Sequence, residues 1–255
     1  MKTQFLKCFC YSLLLSLAFG SCGDKKEVFE TEQISEYLPL QVGKYITYRL
    51  DSTVFTVSGT KTEVHKYQVK HTVAKEMLDD AGNKTYLIQR AINNEAASGA
   101  WTNNGNYYIT PAEKSMDVID NNLRVTVLQA PLKADFNWNG NSRLAFNAYE
   151  QLFDFSVVGK ETNKWNFRYE GMSNFSYGGR DYPNVWTVAQ HSDSLNIPPT
   201  PNSVIGYKEV STEKYAKGVG LVFKNFQLYE YEVSSGSAVP QYKGFGITQW
   251  MVDHN

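Results

Sequence analysis

Cysteine is almost absent from this chain. Of its 255 residues three are Cys, and Cys8 and Cys10 fall within an apolar leader, leaving Cys22. With the leader removed, the chain can form no internal disulfide and no thiolate metal site, and it holds no thiol nucleophile apart from Cys22. In an oxidising compartment the fold then rests on packing alone. Charge of one sign is missing as well. The net charge is −1, and removing residues 1–21 takes away Lys2 and Lys7 but no acid, giving −1 − 2 = −3. That balance excludes the basic face needed for nucleic acid and a polybasic patch for anionic lipid. After the leader no stretch is long and apolar enough for a membrane-spanning helix. Catalytic signatures are missing too. The nearest string to a nucleophile elbow, residues 171–175 (GMSNF), lacks its closing Gly. Gly218 and Gly220 sit between extended segments and open no helix, so they do not form a phosphate loop.

What is present begins with the leader. Lys2 and Lys7 form a short positive start, residues 9–19 are an apolar core too short to span comfortably, and Gly20 and Ser21 are small. Residues 1–21 therefore read as a signal peptide. Residues 22–36 are polar and rich in acids, as befits a flexible tether. Residues 37–255 have room for one domain. No linker long enough to divide them is visible, and no repeat.

Period-two alternation dominates that domain. Ile46, Tyr48 and Leu50 share one face of an extended run. His65, Tyr67, Val69, His71 and Val73 share a face of the next. Residues 123–128, 165–169, 184–191 and 220–233 are further strand candidates. Turn chemistry at 80–82, 103–105, 139–140 and 177–179 separates such runs. The fold class expected is mainly β: a single antiparallel curved sheet or barrel. One short helix is expected within residues 143–155, where Ala145, Ala148, Leu152 and Phe155 recur at helical spacing. Residues 197–202 (IPPTPN) must be a surface loop, because proline supplies no ladder donor. Two β-like segments around a polar loop place a terminal hairpin at 218–252, integral to the sheet.

Residues 19–22 (FGSC) resemble a bacterial lipobox, with Phe19 where Leu is usual. The run Pro39-Leu40…Gly43…Tyr45, residues 216–222 (AKGVGLV) and the closing residues 253–255 (DHN) are similar to a family of Bacteroidetes envelope lipoproteins. The similarity spans essentially the whole chain. It implies acylation of Cys22 by long chains such as palmitate and anchorage at the outer membrane, on its periplasmic or surface face. It carries no activity. Asp51-Ser52-Thr53 and Asp193-Ser194-Leu195 resemble the short strings at which exported proteins of that phylum receive O-linked glycans, which marks Ser52 and Ser194.

Other candidates are weaker. His65 and His71 share a face but stand roughly 20 Å apart along a strand, too far for one ion. His191 and Asp193 share a face, an arrangement found in metal sites and more often in hydrogen-bonded surface couples. Asp253-His254 lies at a chain end. Asp79-Asp80 reads as solvated turn charge. Carboxylates from separate strands leave no local signature, so a glycan-acting hydrolase stays open. Five tryptophans could stack on sugars, but a disulfide-free β core uses the same residues. The expectation is a non-catalytic, membrane-anchored protein that binds a ligand or an envelope partner in its concave face, with no cofactor and no metal. The alternatives are the hydrolase and a structural accessory subunit.

Overall fold

The computed structural model describes residues 32–255 apart from 235, 237 and 238. The signal segment, Cys22 and most of the expected tether lie outside the described residues. The described residues form one antiparallel sheet of twelve strands: β1 (Tyr45–Thr56), β2 (Lys61–Leu78), β3 (Lys84–Asn94), β4 (Thr102–Pro111), β5 (Ser115–Asp120), β6 (Leu123–Gln129), β7 (Asn137–Trp138), β8 (Phe167–Tyr177), β9 (Arg180–Leu195), β10 (Ile205–Ala216), β11 (Gly220–Val233) and β12 (Pro240–His254). Their order is β6-β5-β4-β3-β2-β1-β12-β11-β10-β9-β8-β7. Two meanders thus join where the first strand pairs with the last, from Ile46–His254 to Thr53–Gly246 with one register shift between Thr47 and Tyr48. The expected terminal hairpin is β11 and β12, at the centre of the sheet.

The sheet curls into a nearly closed barrel, which brings its outer strands together. They meet without a continuous ladder. Thr126 N–H donates to Gly140 O at 2.8 Å, and the Trp138 indole N–H donates to Thr126 O at 2.8 Å. Below them the Tyr169 hydroxyl of β8 bonds both the N–H and the O of Gln129. A side chain at Gly140 would run into the Phe167 ring, so glycine is what allows this close approach.

Alternate residues turn inward, as the period-two pattern dictates. Tyr48, Val69, Ile88, Ile109, Leu128, Val188 and Leu228 are buried. Trp138, Trp165 and Trp186 join this core, while Trp101 is 37% exposed. Core packing therefore accounts for most of the tryptophans. The turn at Gly178-Gly179 links β8 to β9 through two residues at φ 61 and 77, the backbone a two-residue hairpin demands.

Three local expectations change. Residues 103–105 do not turn the chain; they lie inside β4, opposite a register shift between Gln89 and Ala91. Asn-Asn-Gly chemistry is used there as a bulge, with Gly105 N–H bonded to Asn103 Oδ1. The helix expected within 143–155 is one turn, α1 (Glu150–Phe153). Leu152 is 60% exposed while Leu144 and Phe155 are buried, so the apolar residues do not share one helical face. A helix this short is marginal alone, and tertiary bonds decide the path. Packing also starts before Tyr37: the 3-10 turn Ile34–Tyr37 buries both end residues.

Segments outside the sheet cover the two ends of the barrel. At one end the Trp186 indole donates to Glu32 at 3.2 Å and Gly218 N–H donates to Glu36 O at 2.7 Å. At the other, residues 139–165 form a plug. Glu230 of β11, 1% exposed, accepts the N–H groups of Ser156, Val157 and Val158 at 2.6, 2.7 and 2.9 Å. Lys243 lies 3.1 Å from the same carboxylate. Burial pushes the Glu230 carboxyl up; the three N–H donors and the ammonium outweigh that and hold it below the usual range.

Candidate functional site

The curl of the sheet leaves a cavity of about 610 Å³ inside the barrel, bounded by inward residues of β1–β6 and β9–β12, by Leu38–Leu40 and by Tyr149, Leu152 and Trp165 of the plug. Its size matches that of small-molecule sites in general. Aliphatic and aromatic side chains make most of the wall, among them Ile46, Leu50, Val69, Ile88, Val125, Leu221, Phe226 and Ile247. Of the faces read from the sequence, Ile46, Tyr48 and Leu50 of β1 and Val69, His71 and Val73 of β2 are part of this wall, whereas His65 and Tyr67, on the same face of β2, are not among its lining residues.

A polar band crosses the cavity. Lys224 Nζ lies 2.9 Å from Glu213 Oε1, and the Tyr215 hydroxyl donates to Glu213 Oε2 at 2.6 Å. Arg90 makes a two-pronged pair with Asp120 at 2.8 and 3.1 Å and lies 5.5 Å from the Tyr107 ring centroid. His71 Nδ1 is 3.1 Å from the Tyr107 hydroxyl. These groups come from β2, β3, β4, β5, β10 and β11, and they influence one another across the space. Burial, then the charges of Arg90 and Lys224, lower the His71 imidazole to about 3, so at neutral pH it is uncharged. Burial opposes the charge on Lys224, and the Glu213 carboxylate more than restores it, raising its pKa. Burial raises the Tyr107 and Tyr215 hydroxyls. At neutral pH, then, both cations of the band face carboxylates. One donor remains without a partner: Arg90 Nε is shut from solvent and makes no hydrogen bond.

The residues singled out in sequence are scattered. His65 is exposed and 3.0 Å from Glu63, far from the role of His71 in the band. Ser52 sits mid-strand in β1, with its backbone paired to Ile247 and His65. Ser194 is exposed on β9, just before the proline loop. Asp79 is occupied in its own turn by Ala81 and Asn83. Asp253 accepts the Tyr45 hydroxyl at 2.9 Å and pairs with Arg180 at 3.4 Å. His191 and Asp193 do converge, and Glu209 of β10 joins them: one ligand atom from each lies within 4.8 Å of the others. Glu213, Lys224, Arg90 and Asp120 were not found from sequence. Their signal was present as charged residues on inward-facing positions of apolar strands.

No protein-family model matches the chain, and no curated protein matches it in sequence. Among solved structures, a protein assigned as exported, with a YmcC-like fold, from Bacteroides fragilis is 8% identical with a TM-score of 0.41, covering 85% of this chain and 99% of its own. A protein assigned as a lipoprotein from Parabacteroides distasonis is 9% identical with a TM-score of 0.40, covering 85% and 98%. LprF from Mycobacterium bovis gives 11% and 0.20, covering 82% and 85%.

Proposed function

We propose that the chain is an envelope protein, exported and anchored through Cys22, that binds an amphipathic ligand inside its barrel without turning it over. The observation that carries this reading is the cavity: apolar walls around a band of paired charges. The apolar part of a ligand would lie against the aliphatic wall. A neutral hydroxyl head can exchange hydrogen bonds with the polar band without adding charge to it. A carboxylate head would instead add an unpaired charge to a site already balanced, so the ligand class favoured is an uncharged amphiphile. Catalysis by the cavity acids is disfavoured because Asp120 is held by Arg90 and Glu213 by Lys224 and Tyr215. The accessory-subunit alternative called for an exposed apolar patch in place of a pocket, and the pocket exists.

The test is titration of the full-length protein in detergent with a fluorescent monoacylglycerol and with the matching fatty acid. Saturable one-to-one binding of the neutral lipid, at least tenfold tighter than the acid, is expected. Val125→Trp, on the outer strand β6 and facing the cavity, should abolish it while leaving the melting temperature close to that of the parent. Absence of saturable binding, or binding untouched by Val125→Trp, would refute the reading.

A further inference from the structure

At the plug end of the barrel, on the inner face of β9 and β10, three side chains of metal-ligating type converge: His191, Asp193 and Glu209. The strands are paired there, with His191 opposite Ser211 and Asp193 opposite Glu209, so ladder register sets two of the three positions side by side. We propose that this trio binds one divalent transition ion of the zinc type on the sheet, beside the plug.

Four observations support it. First, His191 Nε2 is shut from solvent and has no hydrogen-bond partner, while Glu209 Oε2 stands 3.5 Å away. Two ligand atoms sharing a tetrahedral ion at bond lengths of about 2.1 Å stand roughly 3.4 Å apart. The remaining ligand, Asp193, is exposed and is the side chain that must close from within 4.8 Å.

Second, each carboxylate is already oriented by a hydrogen bond, in Glu209 through the oxygen that is not the one beside His191. Glu209 Oε1 accepts Gly159 N–H at 2.6 Å, and Asp193 Oδ2 accepts the Tyr207 hydroxyl at 3.0 Å. Outer partners of this kind fix metal ligands in place. Third, the His191 ring lies flat on Trp165, with centroids 4.5 Å apart and planes 3° from parallel, which locks the imidazole. Fourth, the nearby cations are engaged elsewhere. Lys160 bonds Ser156 O, Lys164 pairs with Glu161, and Arg168 pairs with Asp135 and Glu170. Two carboxylates and a neutral imidazole carry a charge of −2, which a divalent ion cancels. One imidazole with two carboxylates suits zinc and its neighbours better than calcium. Three protein ligands leave a coordination position for water.

The competing arrangement is a protonated His191 paired with Glu209. The two are separated by stripping the full-length protein with EDTA and titrating it with Zn²⁺, then with Co²⁺ as an optical probe. Expected are one equivalent taken up per chain, visible Co²⁺ absorption of a low-coordinate site, and a melting temperature raised by Zn²⁺. Asp193→Asn, which touches an exposed side chain and leaves the fold intact, should weaken Zn²⁺ uptake at least tenfold, as should His191→Ala and Glu209→Gln. His65→Ala and His254→Ala should not. Uptake below one equivalent, uptake unaffected by Asp193→Asn, or uptake lost on His65→Ala or His254→Ala overturns the proposal.

Discussion

The barrel is closed in two places by unlike means. Between β1 and β12, the first and last strands, closure is a ladder from Ile46–His254 to Thr53–Gly246 with a single register shift. Between β6 and β7 it depends on Thr126, Gly140 and the Trp138 indole, with Tyr169 reaching Gln129. The ladder uses backbone groups that every residue but proline owns, so it tolerates almost any sequence that keeps its inward face apolar. The seam and the adjacent plug depend on particular side chains. Strength is thus concentrated on one side of the barrel and adjustability on the other. A ligand of the proposed kind would meet least resistance at the seam, where the ladder is discontinuous and few hydrogen bonds must open.

The largest effect should come from breaking the ladder. Deleting residues 240–255 removes β12, leaves β1 and β11 as bare edges and opens the cavity wall at Phe245, Ile247 and Gln249. The loss is comparable to the whole stability of a domain, about 5–15 kcal/mol. The truncated chain should show no cooperative thermal transition by near-ultraviolet circular dichroism. A transition at the parent temperature would mean that the two meanders hold together without their central pair.

A smaller loss is expected at the plug. Glu230→Gln keeps the shape but removes the charge that three N–H groups and Lys243 share. Hydrogen bonds to charged groups contribute about 1.5–3 kcal/mol each, and Gln still accepts some of them, so a net loss of about 3 kcal/mol is reasonable. Urea denaturation measures it, and hydrogen exchange should accelerate at Ser156, Val157 and Val158 more than in β1 or β12. The sign with pH follows from the lowered carboxyl pKa. A carboxyl held lower in the folded state than in the unfolded one contributes stability above the unfolded value, and that contribution fades as pH falls through the folded value. Acid should therefore destabilise the parent more steeply than Glu230→Gln. Equal acid sensitivity would show that Glu230 is not what fastens the plug.

The same division explains what could be read from the sequence. Period-two alternation at Ile46-Tyr48-Leu50 and Val69-His71-Val73 is a local pattern, and it grouped residues that the curl of the sheet then places on the cavity wall. The hairpin at 218–252 was legible for the same reason. The seam was not, because Trp138 in isolation is only another aromatic, and its bond to Thr126 depends on the curl of all twelve strands. The short helix expected within 143–155 is present as a single turn, because the spacing there is helical while the segment's bonds are to Glu230, Glu209 and, through Arg143, to Asp117. Glu213 and Lys224 are inward charges whose meaning appears only when β10 and β11 are placed opposite β3 and β5. Glu209 is sixteen residues beyond Asp193, and only the β9–β10 register makes them neighbours.

The smallest effect sharpens the contrast most. Trp138→Phe keeps a buried aromatic against Tyr169, whose ring centroid lies 4.7 Å away, and removes only the indole N–H. Thr126 O then loses its partner while Thr126 N–H keeps Gly140 O. The expected loss is about 1 kcal/mol, a shift of a few degrees for a chain of this size. Because the seam opens locally, the change should be confined in space: amide exchange at residues 124–128 should accelerate several-fold, with β1 and β12 unaltered. If the seam is where the ligand passes, release of a bound fluorescent monoacylglycerol should also quicken, with affinity nearly unchanged because entry quickens equally. Faster exchange at Thr126 without faster release would move the entrance from the seam to the plug. Uniform acceleration across the sheet would mean that seam and ladder open as one unit, which the difference in their bonding argues against.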